Sequence, residues 1–269
     1  MTKSPKKIIP LAEKIGEGVL SLLESLGGFA IFAGQTFRFC FARPFDFRNL
    51  LYQMGEIGVK SIPVGVVSSF FVGMVMALQL GGPMEQQIQG ISTFMGGGIS
   101  LAMVRELAPV LTAVLLAGRV GSSIAAEVGT MKVTEQIDAL ATLATNPVHY
   151  LSVPRFLASL ICIPMITVMA IVVGVFGGAL ISNISLDIPY NLYFDSARTL
   201  VHSKDLISGV GKTFFFGAEI ALISCFSGFR ARGGAEGVGQ ATIQAVVFSF
   251  MMIIVSDYFI TYIFQLFGL

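Results

Sequence analysis

Five long apolar stretches dominate the pattern of hydrophobic and polar positions along the chain. Each is near or above the roughly 20 residues that a helix needs to cross ~30 Å of hydrocarbon. Their apolar positions run continuously rather than alternating, which disfavours membrane strands. The pattern therefore predicts an all-α integral membrane protein with about five transmembrane helices, at approximately 61–80, 99–120, 156–181, 206–229 and 241–267.

A sixth apolar stretch, 19–41, is ambiguous because it contains Glu24 and several glycines. We interpret it as a membrane-embedded or re-entrant element, with a true span as the alternative. From Ile8 onwards, helical spacing separates apolar from charged residues, which predicts an amphipathic helix in the membrane interface. We expect this helix to be retained rather than cleaved as a signal peptide. Its apolar side comprises Leu11, Ile15, Val19, Leu22 and Leu26.

Composition supports a membrane protein. The 269 residues are 54% hydrophobic and only 12% charged, and the mean hydropathy is +0.81. Soluble domains average about a quarter charged residues, so a soluble enzyme, a disordered tail and a nucleic-acid binder are excluded. The three cysteines lie in apolar runs without metal-like spacing, so neither a disulfide framework nor a metal site is expected.

The distribution of Lys and Arg predicts the orientation in the membrane. Basic residues concentrate before the first predicted span, between the second and third, and between the fourth and fifth, whereas the alternate loops are poorer. Basic loops stay on the cytoplasmic side. The N-terminus is therefore expected in the cytoplasm and, with five spans, the C-terminus on the opposite side.

Charges inside the predicted spans are candidates for function because they are costly in a membrane. Arg105 and Glu106 are neighbours in the second span, so on a helix they do not face each other. Lys212 and Glu219 lie two turns apart on one face of the fourth span. Such charges either fix packing or line a cavity for a charged or amphiphilic substrate, and we favour the cavity for Arg105 and Glu106. For Asp257 we favour a role as partner of a hydroxyl or cation on a neighbouring helix.

Two short motifs carry little weight. Gly174 and Gly178 form a GxxxG pattern that allows close helix contact, but it is weak evidence for a homodimer. The segment 209–213 resembles the end of a P-loop, yet Leu206 stands where that motif needs glycine. No catalytic constellation of Ser, Cys, His and Asp is visible either.

The loop between the second and third predicted spans contains a short amphipathic helix. Thr134 precedes several polar residues, and Thr130 or Thr134 is expected to cap the helix. Its apolar side is predicted to be formed by Ile137, Leu140 and Leu143. Such a helix suits either docking to a soluble partner or resting on the bilayer, and composition does not decide between them.

A resemblance to a known family decides between them. The segment 104–140, VRELAPVLTAVLLAGRVGSSIAAEVGTMKVTEQIDAL, closely resembles the signature of MlaE/YrbE permeases. These are the membrane subunits of MCE-linked ABC transporters, which move phospholipid between the inner and outer membranes of double-membraned bacteria. The resemblance extends to FVGMVMALQ, NPVHYLSVPRFLA and GAEGVGQATIQAVVFS. It divides the chain into an N-terminal interfacial segment, 1–57, and a permease domain, 58–269.

The resemblance implies a set of partners and a site. The permease would be a homodimer in the bacterial inner membrane, bound to a cytoplasmic ABC ATPase dimer, a STAS-domain protein and a periplasmic ring of MCE-domain proteins. The chain itself would hold no cofactor, because ATP would bind the ATPase. The substrate path is expected to include Met76, Gln79, Arg105, Glu106, Leu107 and Lys212. The coupling helix, within 127–140, is expected to meet the ATPase through Glu127, Lys132, Glu135, Gln136 and Asp138.

The sequence leaves two alternative functions. The first is an ion-coupled secondary transporter of an amphiphilic substrate that uses Glu106, Glu219 and Asp257 as carriers. The halves of the sequence show no inverted repeat, which weighs against it. The second is a lipid-modifying membrane enzyme, which would need the catalytic constellation that the sequence lacks.

Overall fold

A computed structural model describes residues 9–42, 46–87 and 92–267, and the secondary structure in these ranges is entirely helical. The all-α prediction is therefore confirmed. The helices are α1 (Ile9–Cys40), α2 (Phe47–Ile57), α3 (Ile62–Gln87), α4 (Ser92–Ala102), α5 (Ala108–Leu116), α6 (Ser122–Val133), α7 (Gln136–Thr142), α8 (Val153–Leu186), α9 (Tyr190–Leu200), α10 (Ser203–Phe229) and α11 (Gly234–Leu266).

Six helical segments of the described chain are long and apolar enough to cross a membrane, one more than predicted. The five predicted spans fall on the last five of these segments. The additional segment belongs to α1. The segments are Gly16–Cys40, Phe47–Gly81, Phe94–Val133, Val148–Leu186, Ser203–Phe229 and Gly234–Leu266.

Helices α4, α5 and α6 form one long rod joined by two π-helical turns. The first turn is Met103–Leu107 and the second is Ala117–Gly121. A π-helical turn holds one extra residue per turn and frequently occurs at functional sites. The first of these turns contains both Arg105 and Glu106.

Glycines allow α3 and α8 to pack closely in parallel. A Cβ at Gly73 would overlap the carbonyl oxygen of Gly174, and one at Gly177 would overlap that of Phe70. Gly178 likewise lies against Ile99 and Tyr193 of the same chain. The GxxxG pattern therefore serves packing within the protomer, because its small residues face α3, α4 and α9.

The packing also fixes the direction of the central helices. A Cβ at Gly217 of α10 would lie 2.8 Å from the carbonyl oxygen of Ser159 in α8, and Gly28 and Phe226 link the end of α10 to α1. Near its ends α10 packs beside the α4–α6 rod, at Val104 and Val128. Helices α3 and α8 thus begin at the end of the bundle where α6 and α10 finish. We call this the inner end, and the basic residues predict that it faces the cytoplasm.

Helix α1 lies across the inner end rather than along the depth of the bundle. From Ser25 to Phe39 it extends about 21 Å. The residues that this part of α1 contacts are confined to 149–156, a stretch about 10 Å long, and to the last residues of α10. The ring contacts are Phe29–Phe226 at 5.5 Å, Phe32–Phe229 at 5.6 Å, Phe37–Phe156 at 5.1 Å and Phe39–His149 at 5.7 Å. These contacts lie within 25–39, and the interfacial position of the helix from Ile8 onwards stays a prediction.

Helix α1 is uninterrupted from Ile9 to Cys40, which contradicts a re-entrant break within 19–41, whereas a membrane-embedded element or a true span stays a prediction. Glycine within a helix costs only about 1 kcal/mol relative to alanine, and Gly28 is further held by packing against Phe226. The predicted apolar side is described only in part. The side chains of Leu11, Ile15 and Leu22 lie outside the described residues.

Candidate substrate path and coupling surface

A buried lysine joins two carboxylates from different helices. The Nζ of Lys212 in α10 lies 2.7 Å from Oε1 of Glu106 and 3.0 Å from Oδ1 of Asp257 in α11. The Lys212 side chain is 1% exposed, whereas those of Glu106 and Asp257 are 43% and 21% exposed. The prediction that Asp257 serves a cation on a neighbouring helix is confirmed. We call Glu106, Lys212 and Asp257 the ion triad.

Arg105 makes a separate ion pair at the start of α10. Its Nε lies 2.7 Å from Oδ1 of Asp205. The other carboxylate oxygen of Asp205 accepts a hydrogen bond of 2.8 Å from the backbone N–H of His202, which caps α10. Asp205 is not among the residues predicted from the sequence, although an acidic residue in the first turn of a helix is a recognisable signal. Arg105 and Glu106 therefore tie the same π-helical turn to α10 at two places.

Glu219 has a hydroxyl partner rather than a cation. The hydroxyl of Ser256 in α11 donates to Oε2 of Glu219 at 3.0 Å. Among the side chains that the structure describes, no Lys or Arg forms an ion pair with Glu219. The sequence placed Lys212 and Glu219 on one face, but Lys212 instead points to Glu106 and Asp257.

The remaining predicted path residues fall in two different environments. Met76 and Leu107 are half-buried and pack against the apolar cluster that contains Met103 and Tyr193. Gln79 is exposed on α3. Within the described chain Gln79 makes no hydrogen bond to the ion triad. The structure thus brings Glu106 and Lys212 together, places Met76 and Leu107 in one cluster, and leaves Gln79 on the surface.

The predicted coupling segment consists of two helices instead of one. Helix α6 ends at Val133, and Glu135, with a left-handed φ of 61°, starts α7. We call Ser122–Thr142 the α6–α7 elbow. Lys132 closes it, because its Nζ donates to both carboxylate oxygens of Asp138 at 2.9 and 3.1 Å. The Lys132–Asp138 pair links the two helices across the break at Thr134 and Glu135.

The predicted threonine caps are wrong. The hydroxyls of Thr130 and Thr134 donate back to the carbonyls of Ala126 and Thr130, inside or at the end of α6. Such back-bonding competes with capping. Since Glu135 is the N-cap of α7 and makes no side-chain cap bond, neither threonine caps that helix.

The outer surface of the elbow is polar, and its inner side is apolar. Ile137 is 5% exposed and Leu140 is half-buried, so these two predicted apolar positions face the protein. Leu143 is 75% exposed, because α7 ends at Thr142 before the periodic position is reached. Glu135 and Gln136 are exposed on the outer side.

A buried arginine fixes α6 to α8. Arg155 is 2% exposed, and its Nη2 lies 2.8 Å from Oε1 of Glu127. Its Nη1 donates to the carbonyl of Leu151 at 2.7 Å. From the sequence, Arg155 is one of the basic residues between the second and third predicted spans, and no local signal marks it as buried. The predicted coupling residue Glu127 is thus engaged within the protomer.

Comparison with known proteins places the chain in a family. The family model described as "Permease MlaE" matches residues 50–263. A probable ABC transporter permease protein of Rickettsia bellii is 39% identical over 262 residues, which cover 96% of this chain and 98% of the relative. A similarly named protein of Synechocystis is 41% identical over 230 residues, 86% of this chain and 87% of the relative.

A plant protein is also similar. The chloroplastic protein TRIGALACTOSYLDIACYLGLYCEROL 1 of Arabidopsis thaliana is 40% identical over 228 residues, 85% of this chain and 65% of the relative. The match to the family model covers most of the chain, and the relatives named as permeases are similar over nearly their whole length. The chain therefore belongs to the MlaE permease family and is the membrane permease subunit of a transporter.

Proposed function

We propose that the chain moves phospholipid between the inner and outer membranes of a double-membraned bacterium, as one protomer of a homodimer driven by a separate ATPase. The observation that carries this proposal is the membrane-embedded π-helical turn, where Arg105 and Glu106 remain 39% and 43% exposed. Leu107 of the same turn and Met76 of α3 pack against the apolar cluster that contains Met103. A phospholipid has a charged headgroup and apolar tails, so a wall of both kinds suits it.

The proposed substrate is consistent with the relatives. One similar protein carries a galactolipid in its name, which supports lipid as the class of cargo in this family. Burial of tail groups contributes roughly 0.8 kcal/mol per CH₂, so tails provide affinity without direction. Direction must come from a cycle that changes the relative affinity of two states, and we assign that cycle to an ATPase dimer.

The α6–α7 elbow is the proposed seat of the ATPase. Glu135 and Gln136 are exposed there, whereas the Lys132–Asp138 and Glu127–Arg155 pairs keep the elbow stiff. Helix α6 belongs both to the elbow and to the α4–α6 rod. The other half of that rod contains Arg105 and Glu106. A displacement of the elbow would therefore reach the substrate path along one element.

The remaining partners follow from the family resemblance and belong to the same proposal. They are a STAS-domain protein on the cytoplasmic side and a ring of MCE-domain proteins in the periplasm. The chain would lie in the inner membrane with a cytoplasmic N-terminus and a periplasmic C-terminus. Exposed apolar residues of α11, among them Ile243, Val247 and Met251, provide surface for lipid or for the second protomer.

Reconstitution with the ATPase and MCE partners tests the substrate. Native mass spectrometry of the wild-type complex should show bound phospholipid and two copies of this chain. Glu106→Arg should abolish ATP-dependent transfer of a labelled phospholipid while the complex still assembles, and Glu106→Gln should impair transfer less. Asp195→Arg, a charge reversal at an exposed position of α9, is the matched control. Normal transfer by Glu106→Arg would contradict the proposed path.

Charge reversal at the elbow tests the ATPase seat. Glu135→Arg should reduce co-purification of the ATPase, and adding Asp138→Arg should remove it, since Asp138 also holds Lys132. Glu236→Arg, exposed in the first turn of α11, serves as the control. Undiminished recovery of the ATPase with the double variant would refute the coupling role.

A further inference from the structure

A cleft of about 470 Å³ lies at the inner end, outside the ion triad. It is bounded by α2 on one side and by the second π-helical turn and α6 on the other. Its polar lining comprises Tyr52, Gln53, Glu56, Arg119 and Glu127, together with Ser123. None of the roles assigned above to the substrate path uses this cleft.

Arg119 is the cation of the cleft that lacks a carboxylate partner. Its Nη1 donates a hydrogen bond to the hydroxyl of Ser61. Among the described side chains no Asp or Glu forms an ion pair with it. A guanidinium has five N–H donors in a planar fork that matches phosphate oxygens. Arg119 therefore retains the donors that bind a phosphate.

Both carboxylates of the cleft already have cations. Glu56 lies 2.5 Å from Nζ of Lys60, and Glu127 lies 2.8 Å from Nη2 of Arg155. Neither carboxylate therefore neutralises Arg119. Each is still partly exposed, at 38% and 51%, and so retains oxygen atoms that can accept from an ammonium group.

Gln53 is a second polar group with unused hydrogen-bonding capacity. Its side chain is 4% exposed and lines the cleft. Within the part of the chain that the structure describes, this amide has no side-chain hydrogen bond. The Gln53 amide therefore has donor and acceptor capacity that a ligand in the cleft can use. Gln53 and Arg119 thus converge on one space with donors that a ligand would satisfy.

The surroundings of the cleft indicate where the ligand comes from. Leu51, Tyr52 and Val59 are each more than half exposed on the surface next to it. Exposed apolar and tyrosine side chains at the start of a span are typical of the membrane interface. The contact of Arg119 with Ser61 sets the cleft at the level where the apolar part of α3 begins. Phospholipid headgroups lie at this depth.

We propose that this cleft binds the headgroup of a zwitterionic, amine-bearing phospholipid from the leaflet at the inner end. The phosphate is held by Arg119 and Gln53, and the ammonium is held by the remaining oxygens of Glu56 and Glu127. An anionic headgroup without an amine would keep the attraction between its phosphate and Arg119, but it would place no ammonium against the remaining oxygens of Glu56 and Glu127. The site is separate from the substrate path and does not depend on which cargo the permease moves.

Photolabelling of the full chain in lipid nanodiscs tests the proposal. The probe is a phosphatidylethanolamine with a diazirine on its acyl chain close to the glycerol, and the comparison probe is the matching phosphatidylglycerol. We expect phosphatidylethanolamine to label peptides that contain 47–57 and 119–127. Arg119→Gln should reduce this labelling about tenfold or more, the size expected for a lost charge-assisted hydrogen bond.

Three further variants separate binding from folding. Arg119→Lys keeps the charge and should restore part of the labelling. Ser61→Ala removes the partner of Arg119 without removing its charge and should leave labelling near the wild-type level. Gln53→Leu should reduce labelling several-fold even if Arg119→Gln fails to fold.

Each of four results would overturn the proposal. They are equal labelling of wild type and Arg119→Gln, equal labelling by the two lipid probes, labelling that is absent from both peptides, and displacement of the probe by excess inorganic phosphate. The last result would make the cleft a site for free phosphate rather than for lipid.

Discussion

Removal of the buried lysine is the sharpest test of the ion triad. Lys212→Met keeps a side chain of similar length and deletes the ammonium that lies 2.7 Å from Glu106 and 3.0 Å from Asp257. Breaking a buried ion pair by removing one partner costs about 3–5 kcal/mol, because the other charge is left uncompensated. Glu106 and Asp257 are partly exposed, which lowers the cost. We expect a loss of about 3 kcal/mol in the free energy of unfolding.

Neutralising the whole triad should restore most of that stability. In the triple variant Lys212→Met, Glu106→Gln and Asp257→Asn, no charge remains to be compensated. Replacing a complete buried ion pair by well-packed hydrophobic residues of similar volume is often neutral or stabilising, and the two amides of the triple variant would stand at positions that are 43% and 21% exposed. We therefore expect the triple variant to unfold within about 1 kcal/mol of wild type.

The measurement is the free energy of unfolding from SDS titration in mixed micelles, followed by far-UV circular dichroism. Lys60→Met is the matched control, since Lys60 is 59% exposed and its pair with Glu56 lies on the surface. Such a pair contributes at most about 1 kcal/mol. If Lys212→Met lost no more stability than Lys60→Met, or if the triple variant were as unstable as Lys212→Met, the electrostatic account of the triad would be wrong.

Two other substitutions test packing and the role of Glu219. Gly73→Ala should destabilise the protein by about 1–3 kcal/mol in thermal unfolding, because its Cβ would overlap the carbonyl oxygen of Gly174. The control Gly98→Ala has no atom within 4 Å of the new Cβ and should be neutral or slightly stabilising. Glu219→Gln should leave ATP-dependent lipid transfer near the wild-type rate, because glutamine can accept the same hydrogen bond from Ser256. Loss of transfer would instead support Glu219 as an ion carrier.

The membrane helices could be predicted because they depend on composition over long windows. The third predicted span, 156–181, became α8, Val153–Leu186. Helix α8 is longer than the predicted span at both ends, because its first and last residues are helical without belonging to the most apolar stretch. Length and hydropathy therefore predict where a helix crosses better than where it begins and ends.

The π-helical turns could not be predicted, because they depend on a shift of backbone hydrogen bonds by one residue. Arg105 and Glu106 were selected as intramembrane charges from the sequence alone, without their turn. The same limit applies at Glu135, where a left-handed residue separates two helices in a segment predicted as one. A glutamate gives little local indication of positive φ.

The partners of the charged residues could not be predicted, because they are distant in sequence. Lys212 and Glu106 are 106 positions apart, and Lys212 and Asp257 are 45 apart. The sequence showed which groups need a partner, since an unpaired charge in a span is costly. Only the packing of α10 between the α4–α6 rod and α11 shows that one lysine serves both carboxylates.

The triad also weighs against the ion-coupled alternative. A carboxylate that carries a proton or sodium ion must bind its cation and release it in each cycle. Glu106 and Asp257 instead share an ammonium that is covalently attached to α10 and buried. That cation cannot leave, so these two carboxylates serve to join three helices. With Glu106 and Asp257 engaged in this way, the ion-coupled alternative depends on Glu219, whose Oε2 accepts a hydrogen bond from Ser256, and the Glu219→Gln variant tests that residue directly.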